Sequence, residues 1–476
     1  MTEILSPLEE QGIVIDFLSH PASYGLGDGE VERIETHCSI VFLAADRAYK
    51  LKRAIRYASL DYTTRASRQA ACEAELVLNR RTAPDLYLSV RSINRDAGDG
   101  LAFDGPGPAL DHVVVMQRFA QTDLFDRMAE SGGLTPALMQ ALGGAVAYLH
   151  RIAETTPAFG GSDAIRRVIA DNDRELAKIA AALDGAAVGT LSGSTRAALD
   201  AMAALLDRRR IEGKVRRCHG DLRLANICLY SGRPTLFDCI EFNEEIGCID
   251  VLYDLAFLLM DLQLRGRGDL ANVVFNAYLD LAPEAAGLQA LPLFLALRAA
   301  TRSYALAGSA SRQASPRQTA RLLALARRYI GAGIDFLAPR SPRLIALGGH
   351  ADRERAELAA SLAGVTPPAP GARLLHLTAS EDTTWREASA VLTAGCSVLV
   401  EGNFVEGPEL SAATALAARR GVPFLGLWLG SPPATLDARL WRTLDAGHGV
   451  LAALASAVTL LAPTGAERRE IAARSP

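Results

Sequence analysis

Between residues 31 and 90 the chain alternates apolar and polar positions with a period of two. VERIET, SIVFLA and AYKLKR each read as a short strand, because successive side chains of a strand point to opposite faces and a half-buried strand shows that alternation. An Ala-Asp-Arg turn at 45–47 joins the second and third as a hairpin. Over 67–81 the pattern becomes helical, with Ala71, Leu76 and Leu78 on the apolar face, and it stops before Pro84. HVVVMQRF at 112–119 is a further strand. From 123 to about 337 Ala, Leu and Arg recur at helical spacing, with one β interruption at 216–243. That interruption holds a hairpin, ANICLY and PTLFDCIEF, turned at Ser231 and Gly232. Pro339 and Pro342 mark a linker. Beyond it RLIALGG, RLLHLTA, SVLVEG and VPFLGLWLG alternate with helical stretches, which predicts a parallel α/β sheet. The expected organisation is a β-rich lobe over 1–115, a mostly helical lobe over 116–338 and a smaller α/β domain over 339–476.

A chain of 476 residues is too long for one core, in keeping with that division. Composition is ordinarily globular, with 49% apolar and 22% charged residues. The formal charge of −4 argues against a general nucleic-acid or membrane-surface binder. Cys38, Cys72, Cys218, Cys228, Cys239, Cys248 and Cys396 form no CxxC pair, so they read as reduced, mostly buried thiols. The start, MTEILSPLEEQG, is acidic where a signal peptide needs a basic start and an apolar run. The apolar runs at 255–260, 291–297 and 450–461 fall short of the ~20 residues a membrane helix needs. A soluble cytoplasmic protein is expected. Arg208, Arg209 and Arg210, with Lys214, Arg216 and Arg217 close behind, read as a solvated basic loop.

The segment His219-Gly220-Asp221-Leu222-Arg223-Leu224-Ala225-Asn226 carries the strongest chemical signal. Phosphoryl transfer needs a carboxylate to accept or orient the acceptor's hydroxyl proton and, five residues on, an amide oxygen on magnesium. A second carboxylate must hold the metals that bridge the ATP phosphates, and Asp238, twelve residues past Asn226 on the next hairpin strand, supplies it.

HGDLRLANI, FDCIEFN and the following Asp250-Val-Leu-Tyr-Asp254-Leu-Ala resemble the aminoglycoside phosphotransferase and choline-kinase group. ETHCSIVFLAADRAYKLK, ELVLNRRTAPDLYL and MQRFAQTDLF extend the resemblance to a bacterial two-domain family, in which such a kinase is fused to a P-loop kinase-like domain. The resemblance implies an α+β bilobal protein-kinase-like fold followed by a smaller α/β parallel-sheet P-loop-kinase-like domain. It implies Asp221 as catalytic base, His219 as the residue that orients its loop, and Asn226 and Asp238 as ligands of Mg2+. It also implies that Asp254 braces the loop from the helix behind and that Glu241 has a supporting or solvated role.

The ATP lysine belongs on the third strand, where Lys50 and Lys52 share one face. Lys52 aligns better with the family's lysine, and Lys50 is the reserve. The partner carboxylate is expected from Glu75 first and Glu73 second. No GxGxxG precedes this strand; the loop from Glu35 to Ser39 occupies its place and reads either as a donor of backbone N–H and hydroxyl groups to phosphates or as a plain turn. Gln117 and Phe119 are expected to present backbone groups to adenine.

Relatives carry GxxxxGK[ST] after the first strand of the last domain, but here the stretch is Gly348-Gly349-His350-Ala351-Asp352-Arg353-Glu354-Arg355-Ala356. Glu354 replaces the second glycine and Arg355 the lysine, and both Asp352 and Glu354 place negative charge where phosphates would sit. A degenerate, non-catalytic module is expected, with Glu401 a remnant of its acidic strand end. The function implied is an ATP- and Mg-dependent phosphotransferase acting on a small-molecule hydroxyl. The alternative is a nucleotide-binding pseudokinase or regulatory interaction protein, from which the intact Asp221, Asn226, Asp238 and Lys52 set points away.

Overall fold

In the computed structural model the alternation at 31–52 becomes three antiparallel strands, β1 (Val31–Glu35), β2 (Ser39–Ala44) and β3 (Arg47–Lys52). The β2–β3 turn places Ala45 at φ +50°. The structure describes residues 7–57, 60–96, 100–313, 315–377, 381–404, 407–433, 436–445, 447 and 449–461. The opening residues MTEILS, read above for targeting, lie outside them.

Three more strands, β4 (Tyr87–Arg95), β5 (Leu101–Phe103) and β6 (Ala109–Gln117), complete a six-stranded antiparallel sheet in the order β1-β2-β3-β6-β4-β5. Period-two alternation sorts its side chains. Phe42, Leu51, Val113 and Val115 pack with Val14 and Leu18 of a first helix, α1 (Pro7–Ser19). Leu43, Ala48, Val114 and Met116 face the other way, with Cys72 of α2 (Arg65–Asn79). Thr64 caps α2 by accepting from the Ser67 N–H. A buried polar knot joins these layers. Arg68 of α2 donates to both oxygens of Asp111 at 2.9 Å, and Gln11 of α1 donates to Asp111 at 2.9 Å and to the Lys52 carbonyl at 2.9 Å. Both charges of this knot are buried and matched, the condition under which such a pair survives desolvation.

The chain forms two units. One comprises the chain up to Gly133 with Ile152–Glu154 and Arg217–Ile249; it therefore holds the sheet, α1, α2 and the HGDLRLAN segment. It also contains the predicted hairpin, β7 (Ile227–Tyr230) and β8 (Arg233–Leu236), with Ser231 and Gly232 both at positive φ in its turn. The second strand is shorter than expected: Asp238 lies two residues beyond β8, at φ +63°.

The other unit comprises Leu134–Arg151, Thr155–Arg216 and Asp250–Pro476. Its long helices include α3 (Gly161–Ile179), α4 (Gly185–Ile211), α5 (Val251–Leu264), α6 (Gly268–Leu281), α7 (Leu291–Ala310) and α8 (Pro316–Leu337). The basic run at 208–210 is not a solvated loop. It closes α4, and Arg209 is buried between Asp250 (2.7 and 2.8 Å) and Glu284 (2.7 Å). Cations suit a helix C-terminus, and the guanidinium fork can satisfy two carboxylates at once. After residues 338–343, which have no regular structure, five parallel strands follow. They are β9 (Leu344–Gly349), β10 (Arg373–His376), β11 (Val398–Glu401), β12 (Phe424–Leu429) and β13 (Trp441–Leu444), in the order β10-β11-β9-β12-β13. α9 (Asp352–Val365) and α10 (Gly449–Leu461) cover part of the sheet with Leu358, Leu362, Ala453 and Ala457. Among the described residues no helix is long and apolar enough to cross a membrane.

Candidate active site

Lys50 and Lys52 project from β3 toward α2, one strand step apart and on one face as the alternation requires. On α2, Arg68, Ala71, Cys72, Glu75 and Asn79 form the buried stripe at helical spacing. Glu75 therefore meets both lysines. Its Oε1 accepts from Lys50 at 2.7 Å and its Oε2 from Lys52, and no part of its side chain is exposed. Glu73 falls two positions off the stripe, on the exposed face, where it accepts from Gln69.

Each lysine has a second carboxylate. Lys50 bonds Asp238 and Lys52 bonds Glu241, which also accepts from the Tyr62 hydroxyl. Glu241 is thus a buried partner, not a solvated residue. The two branches differ in exposure: the Lys52 side chain is 2% exposed, Lys50 11% and Asp238 40%. Burial alone would push Lys50 toward its neutral form, but the Asp238 and Glu75 carboxylates outweigh it and raise its pKa well above the ordinary lysine value. Burial would likewise raise the Glu75 and Asp238 carboxyls, yet the Lys50 ammonium holds both below their usual range, helped by Lys52. Lys50, Glu75 and Asp238 are therefore charged at neutral pH.

The segment bearing Asp238 is pinned from several sides. Its N–H donates to the Tyr87 hydroxyl oxygen at 3.1 Å, and the Cys239 N–H donates to Asn79 Oδ1 at 2.9 Å. His219 is fully buried and its Nε2 bonds the Phe237 carbonyl at 2.9 Å, while the Ile240 N–H donates back to the His219 carbonyl at 2.9 Å. His219 thus ties the HGDLRLAN loop to the Asp238 segment. Gly220, at φ +86°, passes so close that a Cβ there would lie 3.0–3.1 Å from the Ile240 side chain and 3.1 Å from the Ile246 carbonyl oxygen. Asp221 follows at once. Its Oδ1 accepts from Arg223 Nε at 2.8 Å, and its Oδ2 accepts from Arg223 Nη2 at 3.0 Å and from Asn226 Nδ2 at 2.8 Å.

These groups converge on one cavity of about 460 Å³. Lys50, Lys52, Asp221, Asn226, Asp238 and Glu241 line its charged end, and Ile34, Val41, Ala48, Met116 and Phe119 line an apolar part. Ser39 also lines it, but its N–H is already donated to the Thr36 hydroxyl at 3.0 Å. Gln117 lines it too; its amide is held by Arg47 and by the Asp46 carbonyl, and its N–H by the Leu86 carbonyl. The Phe119 N–H and carbonyl find no hydrogen-bond partner among the described residues. An apolar slot beside an unused backbone donor and acceptor, leading to lysines, a half-exposed carboxylate and an amide, can take a flat heteroaromatic ring at one end and a metal-bound polyphosphate at the other. Tyr62, Tyr87, Asn79 and Arg223 are participants that sequence reasoning gave no role.

The loop between β9 and α9 in the other unit is built around Arg355. Its guanidinium is buried and bonds Glu401 at 2.8 Å, Asn403 at 2.9 Å and the Gly349 carbonyl. Glu354 and Asp352 are both exposed.

Residues 63–291 match the model of the phosphotransferase enzyme family, APH. The matched stretch takes in α2, the HGDLRLAN loop and Asp238. Over 414 residues the chain is 26% identical to an uncharacterized protein of Mycobacterium tuberculosis, covering 81% of this chain and 80% of that protein. Among solved structures, a choline/ethanolamine kinase family protein from Mesorhizobium loti aligns at 16% identity and a TM-score of 0.40, covering 68% of this chain and 99% of that one. An ethanolamine kinase of Plasmodium vivax aligns at 11% identity and a TM-score of 0.42, covering 70% and 95%.

Proposed function

We propose that the chain is an ATP- and Mg-dependent phosphotransferase that phosphorylates a hydroxyl group of a small molecule. The observation that carries this reading is the convergence of Lys50, Asp238, Asn226 and Asp221 on one cavity that Phe119 also lines, its backbone N–H and carbonyl finding no partner among the described residues.

Bound Mg-ATP supplies the transferable phosphoryl group and the charge neutralisation its transfer needs. Asp238 and Asn226 would hold the metal; Asp238 fits because its carboxylate is ionised and half open to the cavity. Lys50, held charged by Glu75, gives up Asp238 and takes phosphate oxygens. Asp221 accepts the acceptor's hydroxyl proton as the new P–O bond forms and ADP departs. His219 keeps the Asp221 and Asp238 segments in fixed register. Phe119 presents its N–H and carbonyl to the adenine edge.

We further read the C-terminal sheet module as a P-loop-type domain that binds no nucleotide. The Arg355 guanidinium, already bonded to Glu401 and the Gly349 carbonyl, fills the turn that phosphates would need.

The test is release of ADP by the purified protein, with and without Mg2+, against pooled hydroxyl-bearing metabolites and antibiotics. Acceptor-dependent, Mg-dependent release that Asp221→Asn removes supports the reading. Mg-ATP that fails to bind at millimolar concentration by calorimetry rejects it.

A further inference from the structure

Arg223 stands in an unusual place for a residue with no part in the reaction so far. It grips both oxygens of Asp221, at 2.8 and 3.0 Å, while Asn226 takes the remaining position on Oδ2. A carboxylate so occupied is a poor acceptor for a substrate hydroxyl. Asp221 and Asn226 line the 460 Å³ cavity, but Arg223 does not. Its guanidinium therefore meets the cavity only through the Asp221 carboxylate it holds. Nor is the pair sealed. The Arg223 side chain is 19% exposed and that of Asp221 27%, so the guanidinium can exchange one anion for another without crossing a dry core.

Two further arginines, one just past the end of α2 and one at the start of this segment, bond the backbone beside the loop. Arg81 donates to the carbonyls of Leu78, Arg217 and Cys218, and to the sulfur of Cys239. Arg217 donates to the Ile240 carbonyl and the Cys248 sulfur. Every one of these acceptors is uncharged, and among the described residues neither guanidinium is ion-paired with a carboxylate. A cationic acceptor such as an aminoglycoside would meet repulsion here, and an anionic one attraction.

We propose that Arg223 selects the acceptor: the substrate class is a hydroxy compound that carries a carboxylate or phosphate near the hydroxyl. The acceptor's anion takes the Arg223 fork, and the freed Asp221 carboxylate accepts the hydroxyl proton. The base is thereby unmasked only when the right anion is present. This rests on the phosphotransferase reading of the same site.

The test compares three pooled probe sets of matched size: hydroxy acids with phosphorylated polyols, the neutral polyols, and aminoglycosides. ADP release is followed for the parent, Arg223→Gln and Arg223→Lys, with Mg-ATP affinity measured by calorimetry on the same preparations. The parent is expected to respond to the anionic set. Arg223→Gln is expected to lose about 10- to 100-fold of that response, the worth of a charge-assisted fork, and Arg223→Lys to lose less. Mg-ATP affinity stays unchanged in both variants, which also shows that they fold. Three results overturn the proposal alone while Mg-ATP still binds. They are a parent that prefers the neutral or aminoglycoside set, a parent whose ADP release the anionic set does not raise, and an Arg223→Gln protein that keeps the anionic preference. Absence of Mg-ATP binding in the parent overturns the phosphotransferase reading, and this proposal with it.

Discussion

Two lysines sharing one glutamate should separate into a nucleotide-binding lysine and a structural one, and paired methionine substitutions test which is which. Lys52 is the closed branch: it is 2% exposed and lies between fully buried Glu75 and nearly buried Glu241, 5.6 Å above the Tyr62 ring. Lys52→Met leaves Glu241 with the Tyr62 hydroxyl, and leaves Glu75 Oε2 without its ammonium while Oε1 keeps Lys50 and the Tyr87 hydroxyl at 3.3 Å. Breaking a buried ion pair by removing one partner costs about 3–5 kcal/mol. Lys50 is the open branch, since its second partner, Asp238, is 40% exposed and solvates readily once released. Lys50→Met should cost about 1–3 kcal/mol of stability, but it removes the cation placed to take phosphate oxygens. A lost charge-assisted bond of that kind weakens Mg-ATP binding about 10- to 100-fold. Differential scanning calorimetry measures the first quantity and isothermal titration the second. Tryptophan emission is the wrong probe, because Trp385, Trp428 and Trp441 all lie in the other unit. The reasoning fails if Lys52→Met keeps its stability and loses nucleotide while Lys50→Met does the reverse.

Asp221→Asn should lower phosphoryl transfer by about 10²–10⁴-fold with Mg-ATP affinity nearly intact; equal turnover in variant and parent rejects the base assignment. Asp238→Ala should abolish the magnesium-dependent part of ATP binding, and calorimetry that finds it unchanged moves the metal site elsewhere. Glu75 and Asp238 have folded-state pKa values below their ordinary 4.5 and 3.8. Their stabilisation is therefore present above those values and lost as pH falls through the lowered ones. Glu75→Gln, lacking one such group, should lose less stability than the parent below about pH 4.5, and parallel acid-unfolding curves contradict that.

What the sequence disclosed and withheld follows physical lines. Strands β1 to β3, α2 and the HGDLRLAN hairpin were legible because alternation and helical period are local signals. α1 was not anticipated, although it supplies Gln11 and packs Val14 and Leu18 on the sheet; its pattern was read only for targeting. Nor were β4, β5 and β13, whose flanks mix charged and apolar residues without strict alternation. Glu75 is separated from Glu73 only by the phase of the helix, and helix phase is set by which stripe the sheet buries. Both lysines were named, but one glutamate bridging them needs three elements to meet, as do Tyr87 and Asn79 on the Asp238 segment. Arg223 stood in view inside the motif. Its grip on Asp221 could not be read from a spacing of two residues, since the loop conformation decides it.

The C-terminal sheet shows side chains standing in for a neighbouring strand. β10 lies at one end of the five-strand order, and an edge strand presents unpaired N–H and carbonyl groups. Helix α6 covers that edge with two asparagines spaced four residues apart, on one helix face. Asn276 Oδ1 accepts from the Leu374 N–H at 2.8 Å, and Asn276 Nδ2 and Asn272 Nδ2 donate to the Ala372 carbonyl at 3.2 and 3.0 Å. Their amides thus take the place of a sixth strand. Arg373 reinforces the seam through Asn276 at 3.1 Å and Asp280 at 2.6 Å. Gly371, at φ +109°, permits the approach, because a Cβ there would lie 2.5 Å from Asn272 Nδ2. A module fastened in this way is expected to unfold together with α6 rather than as a tethered domain. Asn276→Ala strips the edge of its acceptor and should cost about 1–3 kcal/mol, seen as an earlier transition in tryptophan emission. Gly371→Ala, which wedges the seam apart, should act at least as strongly. If both variants unfold with the parent's profile, the asparagines only decorate the edge, and the module is held by its apolar packing alone.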